Sequence, residues 1–408
     1  MRTAAEIIVR ESIEKVLPDA AVRRALEGKR FSGKVILVAA GKAAWQMAKT
    51  AQDCLGNAVT DGIVITKYDH VKGPVGNLTC RAAGHPVPDE NGIQATQKAV
   101  EMVSDLHKED TVLLLLSGGG SALFELPLIC NQELQDITAQ LLASGANIEQ
   151  INTIRKRLSA VKGGRFAQLV APAQVYTVVL SDVVGDRLDM IASGPACPDS
   201  STSEEALQIV KDYDLHLSEQ ALALLQKETP KELSNVTTVV TGSVRQLCQA
   251  AKVACEKLGY EATVLTESLT CQAREAGAWL GKLAAENAGK GKKLAFIAGG
   301  ETVVKLTGNG KGGRNQELAL AAASCIDGVP GTAVFSLGSD GTDGPTDAAG
   351  GFADQFTAQK LRDAGVDVEE VLKNNDSYHA LELTDGLIIT GPTGTNVNDV
   401  AVVLVQGE

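Results

Sequence analysis

Short hydrophobic runs recur along the first half of the chain and are separated by segments with helical periodicity. The runs are VILVAA at 35–40, GIVIT at 62–66, TVLLLLS at 111–117 and YTVVLSD at 176–182. Strands that alternate with helices are typical of a mainly parallel sheet with helices on both faces. The pattern therefore predicts an α/β fold.

The same alternation returns after a polar, helical stretch at 199–235, where we place the domain junction. The later runs are VTTVVTG at 236–242, YEATVLT at 260–266, KLAFIAGG at 293–300, GTAVFSLGSD at 331–340 and DGLIITGPT at 385–393. A chain of 408 residues exceeds the size at which a single core usually stops growing. We therefore predict two domains, 1–234 and 235–408, and both are α/β.

Composition and charge exclude several classes of function. A formal net charge of -12 and an aromatic content of 3% disfavour binding to nucleic acid and to anionic membrane surfaces. No apolar run approaches the roughly 20 residues that cross a bilayer, and the charged N-terminal segment does not resemble a signal peptide. The eight cysteines contain no Cys-x-x-Cys pair, which indicates reduced thiols. We expect a soluble, cytoplasmic protein with a small-molecule partner, and leave open whether it is a homo-oligomer.

Glycine and polar residues crowd the carboxyl ends of the predicted strands, where open α/β sheets bind their ligands. Gly41 and Lys42 follow the run at 35–40 and begin a predicted helix. The start of a helix attracts anions, and a lysine there adds a mobile positive donor. A solvent-facing lysine in a tight turn is an equally good interpretation of this spacing.

The segment SGGGS directly follows the run at 111–117. It contains Ser117, Gly118, Gly119, Gly120 and Ser121. Consecutive glycines let a backbone wrap closely around a bound group. A flexible turn is the alternative, but three glycines lose much conformational entropy on folding without adding packing. We therefore favour ligand contact, although the spacing is not that of a Walker loop.

The segment GNGKGG at 308–313 has the form G-x-G-x-x-G and precedes a helical run. The acidic residue expected after the next strand of a dinucleotide site is poorly matched, because Asp327 precedes that strand. A nucleotide or phosphate loop fits better, and a glycine-rich hairpin is the alternative. The candidate binding residues here are Gly310, Lys311, Gly313 and Arg314, with Glu301 at the end of the preceding run.

Acidic residues at two strand ends are candidates for metal binding. Asp340 and Asp343 lie in the loop SDGTDGPTDAAG, and clustered carboxylates of this kind can hold Mg²⁺. Turn formation and helix capping compete with that interpretation. Asp182, at the end of the run at 176–182, could be a metal ligand or a catalytic base, and loop capping explains it equally well.

A basic segment, INTIRKRLSAVKGGR, carries five positive charges between residues 155 and 165. Helical spacing groups Arg155 and Lys162 on one face, where they could attract a carboxylate or a phosphate. A solvated charged face is the usual alternative. His85, in AAGHPVPDE, is a candidate base, although a histidine satisfied by backbone groups in a turn explains it better.

Nearly the whole chain resembles the bacterial and archaeal glycerate 2-kinases of the MOFRL type. The resemblance lies in eight segments that occur in this order: GKAAWQMAKTA, GHPVPDENG, SGGGSALFELP, INTIRKRLSAVKGGR, SDVVGDRLDMIASGP, GGETVV, GGRNQE and SDGTDGPTDAAG. It implies a Rossmann-like N-terminal domain, a smaller α/β MOFRL domain and an active site in the crevice between them. The implied reaction is ATP-dependent phosphorylation of D-glycerate to 2-phosphoglycerate.

By motif, the family's catalytic lysine and arginine correspond to Lys42 and Arg314. Two departures from the family pattern are Arg157, where many relatives have His, and Val303, where Thr is frequent. In phosphoryl transfer, cationic side chains and Mg²⁺ carry most of the catalysis. We therefore expect Lys42 and Arg314 to act on the transferring group and Asp182 to orient the glycerate hydroxyl or a metal.

Two other classes of function compete with a kinase. Many members of this family carry the name hydroxypyruvate reductase, but an NAD(P)-dependent reductase would need a convincing dinucleotide fingerprint and a well-placed acid, and both are weak here. A two-domain binding protein without chemistry is the third possibility. The sequence leaves open which glycine-rich loop holds ATP and which holds glycerate.

Overall fold

The computed structural model describes residues 1–407 and divides into two compact units. The first, which we call the Lys42 unit, comprises residues 21–181 and 186–241. The second, the Arg314 unit, comprises residues 1–20, residues 182–185 and the chain from Gly242 onward. The predicted domain boundary and the predicted crevice stay predictions.

Twelve strands and sixteen α-helices are assigned in the described chain. The strands are β1 Val35–Ala40, β2 Val59–Lys67, β3 Thr79–Ala83, β4 Thr111–Leu116, β5 Gln174–Leu180, β6 Val236–Gly242, β7 Glu261–Leu269, β8 Leu294–Gly300, β9 Thr332–Gly338, β10 Gly350–Asp354, β11 Leu387–Ile388 and β12 Asp399–Val405. The helices are α1 Arg2–Val16, α2 Pro18–Leu26, α3 Ala44–Leu55, α4 Glu90–Val103, α5 Gly120–Leu123, α6 Asn131–Ala143, α7 Ile148–Arg157, α8 Arg165–Val170, α9 Ser203–Asp212, α10 Glu219–Leu225, α11 Val244–Lys257, α12 Ala273–Asn287, α13 Arg314–Cys325, α14 Thr357–Asp363, α15 Val368–Lys373 and α16 Ser377–Leu383. None of these helices is long and apolar enough to cross a membrane.

The sheet of the Lys42 unit has the strand order β3-β2-β1-β4-β5-β6. Its central strands β1 and β4 are parallel, with Val35 opposite Thr111, and every residue in both strands is buried. Continuous apolar strands of this kind are buried on both faces of a parallel sheet. The chain direction across the sheet reverses between β1 and β4, and ligands bind outside the carboxyl ends of such a pair. The predicted Rossmann-like domain is confirmed.

The sheet of the Arg314 unit has the order β11-β10-β9-β12-β8-β7 and is mixed. Strand β12 is wholly buried and runs antiparallel to both β8 and β9, whereas β7 and β8 are parallel. Helix α1 packs on α11 through an apolar cluster that includes Ile8, Ile13, Leu247 and Ala251. The N-terminal helix therefore belongs to the same unit as the C-terminal half of the chain.

The run at 236–242 forms β6, the edge strand of the first sheet. Two expectations about strands need correction. The run at 385–393 forms only the two-residue strand Leu387–Ile388. The second sheet is also less parallel than the alternating pattern indicated, because β12 inserts antiparallel between β8 and β9.

Candidate functional site

The turn after β1 is tied directly to the SGGGS segment. Lys42 N donates to Gly118 O at 2.8 Å, and Ala43 N donates to Ser117 Oγ at 3.1 Å. Gly41 has a φ of 127°, and a Cβ there would collide with the hydroxyl and the backbone carbonyl of Ser117. Only glycine fits at this position. Through these contacts, two of the predicted ligand-binding loops come together at the carboxyl ends of β1 and β4.

Lys42 and His85 flank the middle of the SGGGS segment. Lys42 is exposed, and a Cβ on Gly119 would lie 3.3 Å from Lys42 Cγ and 2.9 Å from His85 Cδ2. Burial, followed by the positive charge of Lys42, lowers the pKa of His85. A neutral imidazole beside an exposed ammonium group is the result.

The other end of the SGGGS segment rests on a strained turn that the sequence analysis did not single out. Ser121 Oγ lies 3.1 Å from Ser193 Oγ, which in turn donates to Asn152 Oδ1 at 3.0 Å. Ala192 and Ser193 are buried and have φ values of 51° and 58°, which L-residues rarely adopt. Such strain collects at functional sites. The signal in the sequence was the segment DMIASGP, to which we attached no role of its own.

The predicted binding residues Arg155 and Lys162 hold backbone carbonyls at the end of the SGGGS segment and just after it. Lys162 is wholly buried and its Nζ donates to Ser121 O at 2.8 Å and to Phe124 O at 2.9 Å. Arg155 Nη2 donates to the same Ser121 carbonyl at 3.0 Å, and both cations lie within 4 Å of the Glu125 carboxylate. Burial lowers the pKa of Lys162 to about 8. A ligand would reach Lys162 only by displacing these bonds.

Arg157, one of the two departures from the family pattern, is also a buried structural group. It is fully buried and donates to Ser201 O at 2.7 Å, to Thr153 O at 3.0 Å and to Glu228 Oε2 at 3.3 Å. The bonds to Ser201 and Glu228 join α7 to the segment before α9 and to the segment after α10. Its long fork therefore serves packing between elements of the Lys42 unit.

The glycine-rich loop before α13 packs against residues 374–376. The amide groups of residues 307–311 all donate to that segment, including Gly310 N to Asn374 O at 2.8 Å and Lys311 N to Asp376 Oδ1 at 2.9 Å. A Cβ on Gly310 would lie 2.5 Å from Asp376 Cβ, so these glycines allow close packing. The amides of residues 307–311 are therefore used within the protein. Lys311 and the glycines next to α13 are the parts of this loop that are better placed to contact a ligand.

The N-terminus of α13 is capped by a carboxylate of the protein itself. Asp343 Oδ1 accepts from Asn315 N at 3.1 Å, and Asp343 Oδ2 accepts from Gln316 N at 2.9 Å. A Cβ on Gly313 would collide with the Asp343 side chain, which explains the glycine before the helix. Burial raises the pKa of Asp343, and the amide hydrogen bonds oppose that rise. Metal binding by Asp343, as predicted, would compete with this cap.

Asp340 fits a metal better than Asp343 does. Its Oδ1 accepts from Thr342 N at 2.9 Å and from Thr342 Oγ1 at 3.0 Å, while the side chain is half-buried at the wall of a cavity. Within residues 1–407, no three Asp, Glu, His or Cys side chains are grouped as a metal cluster. Mg²⁺ in phosphoryl-transfer enzymes commonly uses only one or two carboxylates together with the substrate phosphates, and Asp340 alone could supply one.

Arg314, the first residue of α13, is held by two carboxylates. Its Nε donates to Asp399 Oδ2 at 2.5 Å, its Nη2 to Asp399 Oδ1 at 3.0 Å and its Nη1 to Glu301 Oε1 at 2.9 Å. Burial raises the pKa of Asp399 to about 6, although the bonds to Arg314 oppose the rise. Burial also disfavours the charge on Arg314, but the bonds to Asp399 outweigh it and raise the pKa of the guanidinium.

Asn398 connects Glu301, one of the two carboxylates that hold Arg314, to Asp182. Its Nδ2 donates to Asp182 O at 3.0 Å and to Glu301 Oε2 at 3.3 Å. The structure thus gathers the predicted residues Asp182, Glu301 and Arg314 in the Arg314 unit. Asn398 and Asp399 were missed because the run DVAVVLV, which begins at Asp399, was not recognised as a strand.

A cavity of about 990 Å³ opens beside Arg314. Its wall includes the glycines next to α13 and the acidic residues of the 340–343 loop. Apolar residues complete it: Val184, Val303, Val304, Leu306 and Pro345. A cavity of this volume lies at the upper end of the range for small-molecule sites.

The fold is that of a two-unit α/β protein, with one candidate ligand-binding region at the carboxyl ends of β1 and β4 and another around Arg314. The family model described as "Domain of unknown function (DUF4147)" matches residues 4–226, and the MOFRL family model matches residues 294–399. The chain belongs to this DUF4147 and MOFRL family. The expected resemblance and the predicted MOFRL domain are confirmed.

Several relatives of this chain are named glycerate kinases, and others, at 37% identity, are named putative hydroxypyruvate reductases. The D-glycerate 2-kinase of Thermotoga maritima is 54% identical over 404 residues, which cover 98% of this chain and 97% of the relative. The glycerate 2-kinase of Pyrococcus horikoshii is 40% identical, with 94% and 90% covered. A crystal structure of glycerate kinase from Thermotoga maritima superposes with a TM-score of 0.96 at 53% identity and covers 99% of each chain.

Proposed function

We propose that the protein transfers a phosphoryl group from ATP to the 2-hydroxyl of D-glycerate and releases ADP and 2-phosphoglycerate. The observation that carries this proposal is the 54% identity to a D-glycerate 2-kinase over 98% of the chain. Of the two cations that the family resemblance assigns to catalysis, Lys42 lies in the turn before α3 and Arg314 is the first residue of α13. A cytoplasmic location, where ATP is abundant, is part of the same proposal.

Arg314 is the cation that we assign to the transferring phosphoryl group. Phosphoryl transfer spreads negative charge over the three equatorial oxygens, and fixed cationic donors stabilise that charge without reorganisation. Asp399 fixes the plane of the guanidinium through two hydrogen bonds. Within the described residues these bonds and the bond to Glu301 use three of the five N–H groups of Arg314. The remaining donors can face a ligand.

Lys42 and the SGGGS segment form the second part of the proposal. The Lys42 ammonium would offset negative charge on the substrate or on the transferred group. The hydroxyls of Ser117 and Ser121 and the backbone of the glycines between them would surround a small polar acid. Asp182, whose backbone carbonyl binds Asn398, is our candidate for orienting the glycerate hydroxyl.

Mg²⁺ would accompany ATP and offset the charge of its phosphates. Asp340 is the residue that we propose to contact it, because Asp340 is half-buried at the cavity wall and uses Oδ1 for its bonds to Thr342. Asp343 is a weaker candidate because both of its oxygens cap α13.

The alternative, an NAD(P)-dependent hydroxypyruvate reductase, has less support. A dinucleotide site needs free amides in its glycine-rich turn and an open helix N-terminus for the pyrophosphate. In the segment 308–313, the amides of residues 308–311 bind residues 374–376, and Asp343 caps the helix that follows. The segment 308–313 therefore does not have the geometry of a dinucleotide fingerprint.

An assay of the purified protein with separate cofactors distinguishes the candidate functions. D-glycerate with ATP and Mg²⁺ should yield ADP, whereas hydroxypyruvate with NADH or NADPH should leave the reduced cofactor unchanged. Oxidation of NADH or NADPH without ADP formation would establish the reductase. Binding of glycerate with neither reaction would indicate a binding protein.

A further inference from the structure

Part of the cavity beside Arg314 is apolar, and the charged groups of the site do not explain it. Leu306 and Val303 lie on its wall, and their exposed fractions are 80% and 55%. Val184, Val304 and Pro345 lie on the same wall. Apolar groups that gather at a concave site and stay open to solvent usually mark a ligand surface.

The volume of the cavity also exceeds what the acceptor substrate needs. Glycerate is a three-carbon acid with a polar group on every carbon, so it would fill little of a cavity of about 990 Å³ and would gain nothing from Leu306 or Val303. A nucleoside triphosphate combines a large planar base with a charged tail. In this cavity, the apolar wall suits the base and Arg314 suits the charged phosphates.

We propose that this cavity of the Arg314 unit binds ATP, with the nucleoside against Leu306 and Val303 and the triphosphate toward Arg314. The identity of the nucleotide rests on the proposed kinase function. The nucleotide is thereby assigned to one of the two candidate ligand-binding regions. The sequence leaves the choice between these regions open.

The region at the carboxyl ends of β1 and β4 is the competing location, because Rossmann-like sheets often bind nucleotides there. In the turn after β1, Lys42 N binds Gly118 O and Ala43 N binds Ser117 Oγ, so these amides are used within the protein. The amides of residues 307–311 are used in the same way, so the apolar wall and the volume of the cavity are what distinguish the two regions. The turn has a single glycine, Gly41, where a dinucleotide fingerprint has three. An ammonium group and serine hydroxyls are better suited to a small carboxylate.

The acidic residues on the cavity wall are compatible with an anionic ligand because most of them are paired. Glu317 accepts from Arg274 Nε at 3.1 Å and from Asn375 Nδ2 at 3.1 Å. Glu301 accepts from Arg314, and Asp343 caps α13. Asp340 and Asp343 are bonded only to neutral groups, but both oxygens of Asp343 cap α13, whereas the bonds of Asp340 to Thr342 use only Oδ1. The triphosphate would therefore enter as a complex with a divalent cation, which Asp340 can contact.

A photoaffinity experiment locates the base directly. The full-length protein is irradiated with 8-azido-ATP, with and without excess ATP, and the labelled peptides are identified by mass spectrometry. Label within residues 301–310, abolished by excess ATP, is the expected result. ATP-protected label within residues 41–47 or 117–124 would overturn the inference, as would the absence of any ATP-protected label.

A pair of variants tests the role of the apolar wall. Leu306→Asp should weaken ADP binding, measured by titration calorimetry, at least tenfold, while the Michaelis constant for glycerate changes less than twofold. Leu383→Asp is the matched control, because Leu383 is 61% exposed in the same unit and is not on the cavity wall. Thermal unfolding verifies that both variants fold.

Equal ADP affinity in the wild type and in Leu306→Asp would refute the placement of the nucleoside. A Leu306→Asp variant that instead loses affinity for glycerate would also refute it. The proposed kinase function fails separately, if the wild type binds ADP but forms no ADP from ATP in the presence of glycerate. In that case the label at 301–310 would still establish the nucleotide site.

Discussion

Arg314 and Asp399 form a bidentate ion pair in which the guanidinium Nε and Nη2 lie 2.5 Å and 3.0 Å from the two carboxylate oxygens. Asp399 is the first residue of the buried strand β12, and Arg314 is the first residue of α13. A pair of this geometry fixes the plane as well as the position of the cation. Asp399 therefore acts through Arg314 and sets the direction of its remaining donors.

We predict that Asp399→Asn lowers kcat and changes the Michaelis constants for ATP and glycerate much less. The amide keeps the size of the side chain but loses the charge-assisted bonds, which are worth about 1.5–3 kcal/mol. If that loss falls on the transition state, kcat drops roughly 10- to 100-fold. Asp354→Asn, which changes a carboxylate bonded to Phe356 N and Thr357 Oγ1 in the same unit, is the control. A folded Asp399→Asn enzyme with normal kcat would contradict the positioning role.

Arg314→Lys tests the planar fork itself. Lysine keeps the positive charge but cannot bind both oxygens of Asp399 in one plane. We expect a fall in kcat at least as large as that of Asp399→Asn, with only a modest change in the Michaelis constants, in steady-state assays with each substrate varied. A rise in the Michaelis constant alone would assign Arg314 to ordinary ground-state binding.

The contact between Gly120 and Ala192 predicts a compensating pair of substitutions. A Cβ on Gly120 would lie 2.7 Å from Ala192 Cβ. Gly120→Ala should therefore lower the free energy of unfolding by about 1–3 kcal/mol. Ala192→Gly removes the obstructing methyl group and relaxes a φ of 51°. The double variant should recover most of the loss.

Urea unfolding of the wild type, both single variants and the double variant gives the coupling energy of this pair. We expect a favourable coupling of about 1–2 kcal/mol. Strictly additive effects would show that the two positions do not touch in solution, and the strained turn at residues 192 and 193 would then lose its proposed role as a support for the SGGGS segment.

The buried Lys162 predicts a change of stability with pH. Its pKa is lowered to about 8 from an ordinary value of 10.5. Below pH 8 the amine is charged in both the native and the unfolded state, so the desolvation penalty is fully present. Between about pH 8 and 10.5 the native state loses the proton first, and the penalty fades as the pH rises. Stability should therefore increase with pH through this window.

The measurement compares the wild type with Lys162→Met, which cannot titrate. The free energy of unfolding of the wild type, relative to that of the variant, should rise by about 2 kcal/mol between pH 7.5 and pH 9.5. Other lysines, tyrosines and cysteines titrate in both proteins and cancel in the difference. Parallel pH profiles would mean that the Lys162 amine does not carry the lowered pKa.

Removal of divalent cations should abolish turnover, and added Mg²⁺ should restore it. If Asp340 contacts the cation, Asp340→Asn should raise the Mg²⁺ concentration needed for half-maximal activity several-fold. Asp347→Asn is the control, because Asp347 lies in the same loop but binds the Tyr378 hydroxyl at 2.8 Å. Full activity in metal-free buffer would contradict the metal requirement, and equal Mg²⁺ dependence of the two variants would exclude Asp340.

The central strands β1 and β4 of the Lys42 unit could be predicted because each is a continuous apolar run. VILVAA and the first six residues of TVLLLLS match β1 and β4 residue for residue. The strands β3 and β10 were missed because TCRAA and GGFAD lack such a run. Pairing with neighbouring strands decides the conformation of these two segments. The hydrophobic pattern also could not predict the strand directions in the second sheet, because β12 pairs with β8, about 100 residues earlier in the chain.

The candidate site was predictable where glycines follow strands and less so where charges are involved. The SGGGS segment and Lys42 meet as strand-end geometry implies. Periodicity could not distinguish a basic residue that faces a ligand from one that holds backbone carbonyls, as Lys162 does. The partner of Arg314 was hidden for a similar reason, because Asp399 lies 85 positions away in a strand that was not recognised.

The central claim is that the 2-hydroxyl of glycerate receives the phosphoryl group, and phosphorus NMR of the reaction product tests it most directly. The purified protein is incubated with D-glycerate, ATP and Mg²⁺, and the proton-coupled spectrum is recorded. A phosphate on C2 couples to one methine proton and gives a doublet, which is the predicted result. A triplet, from coupling to the two protons of C3, or the absence of any phosphate ester would contradict the account.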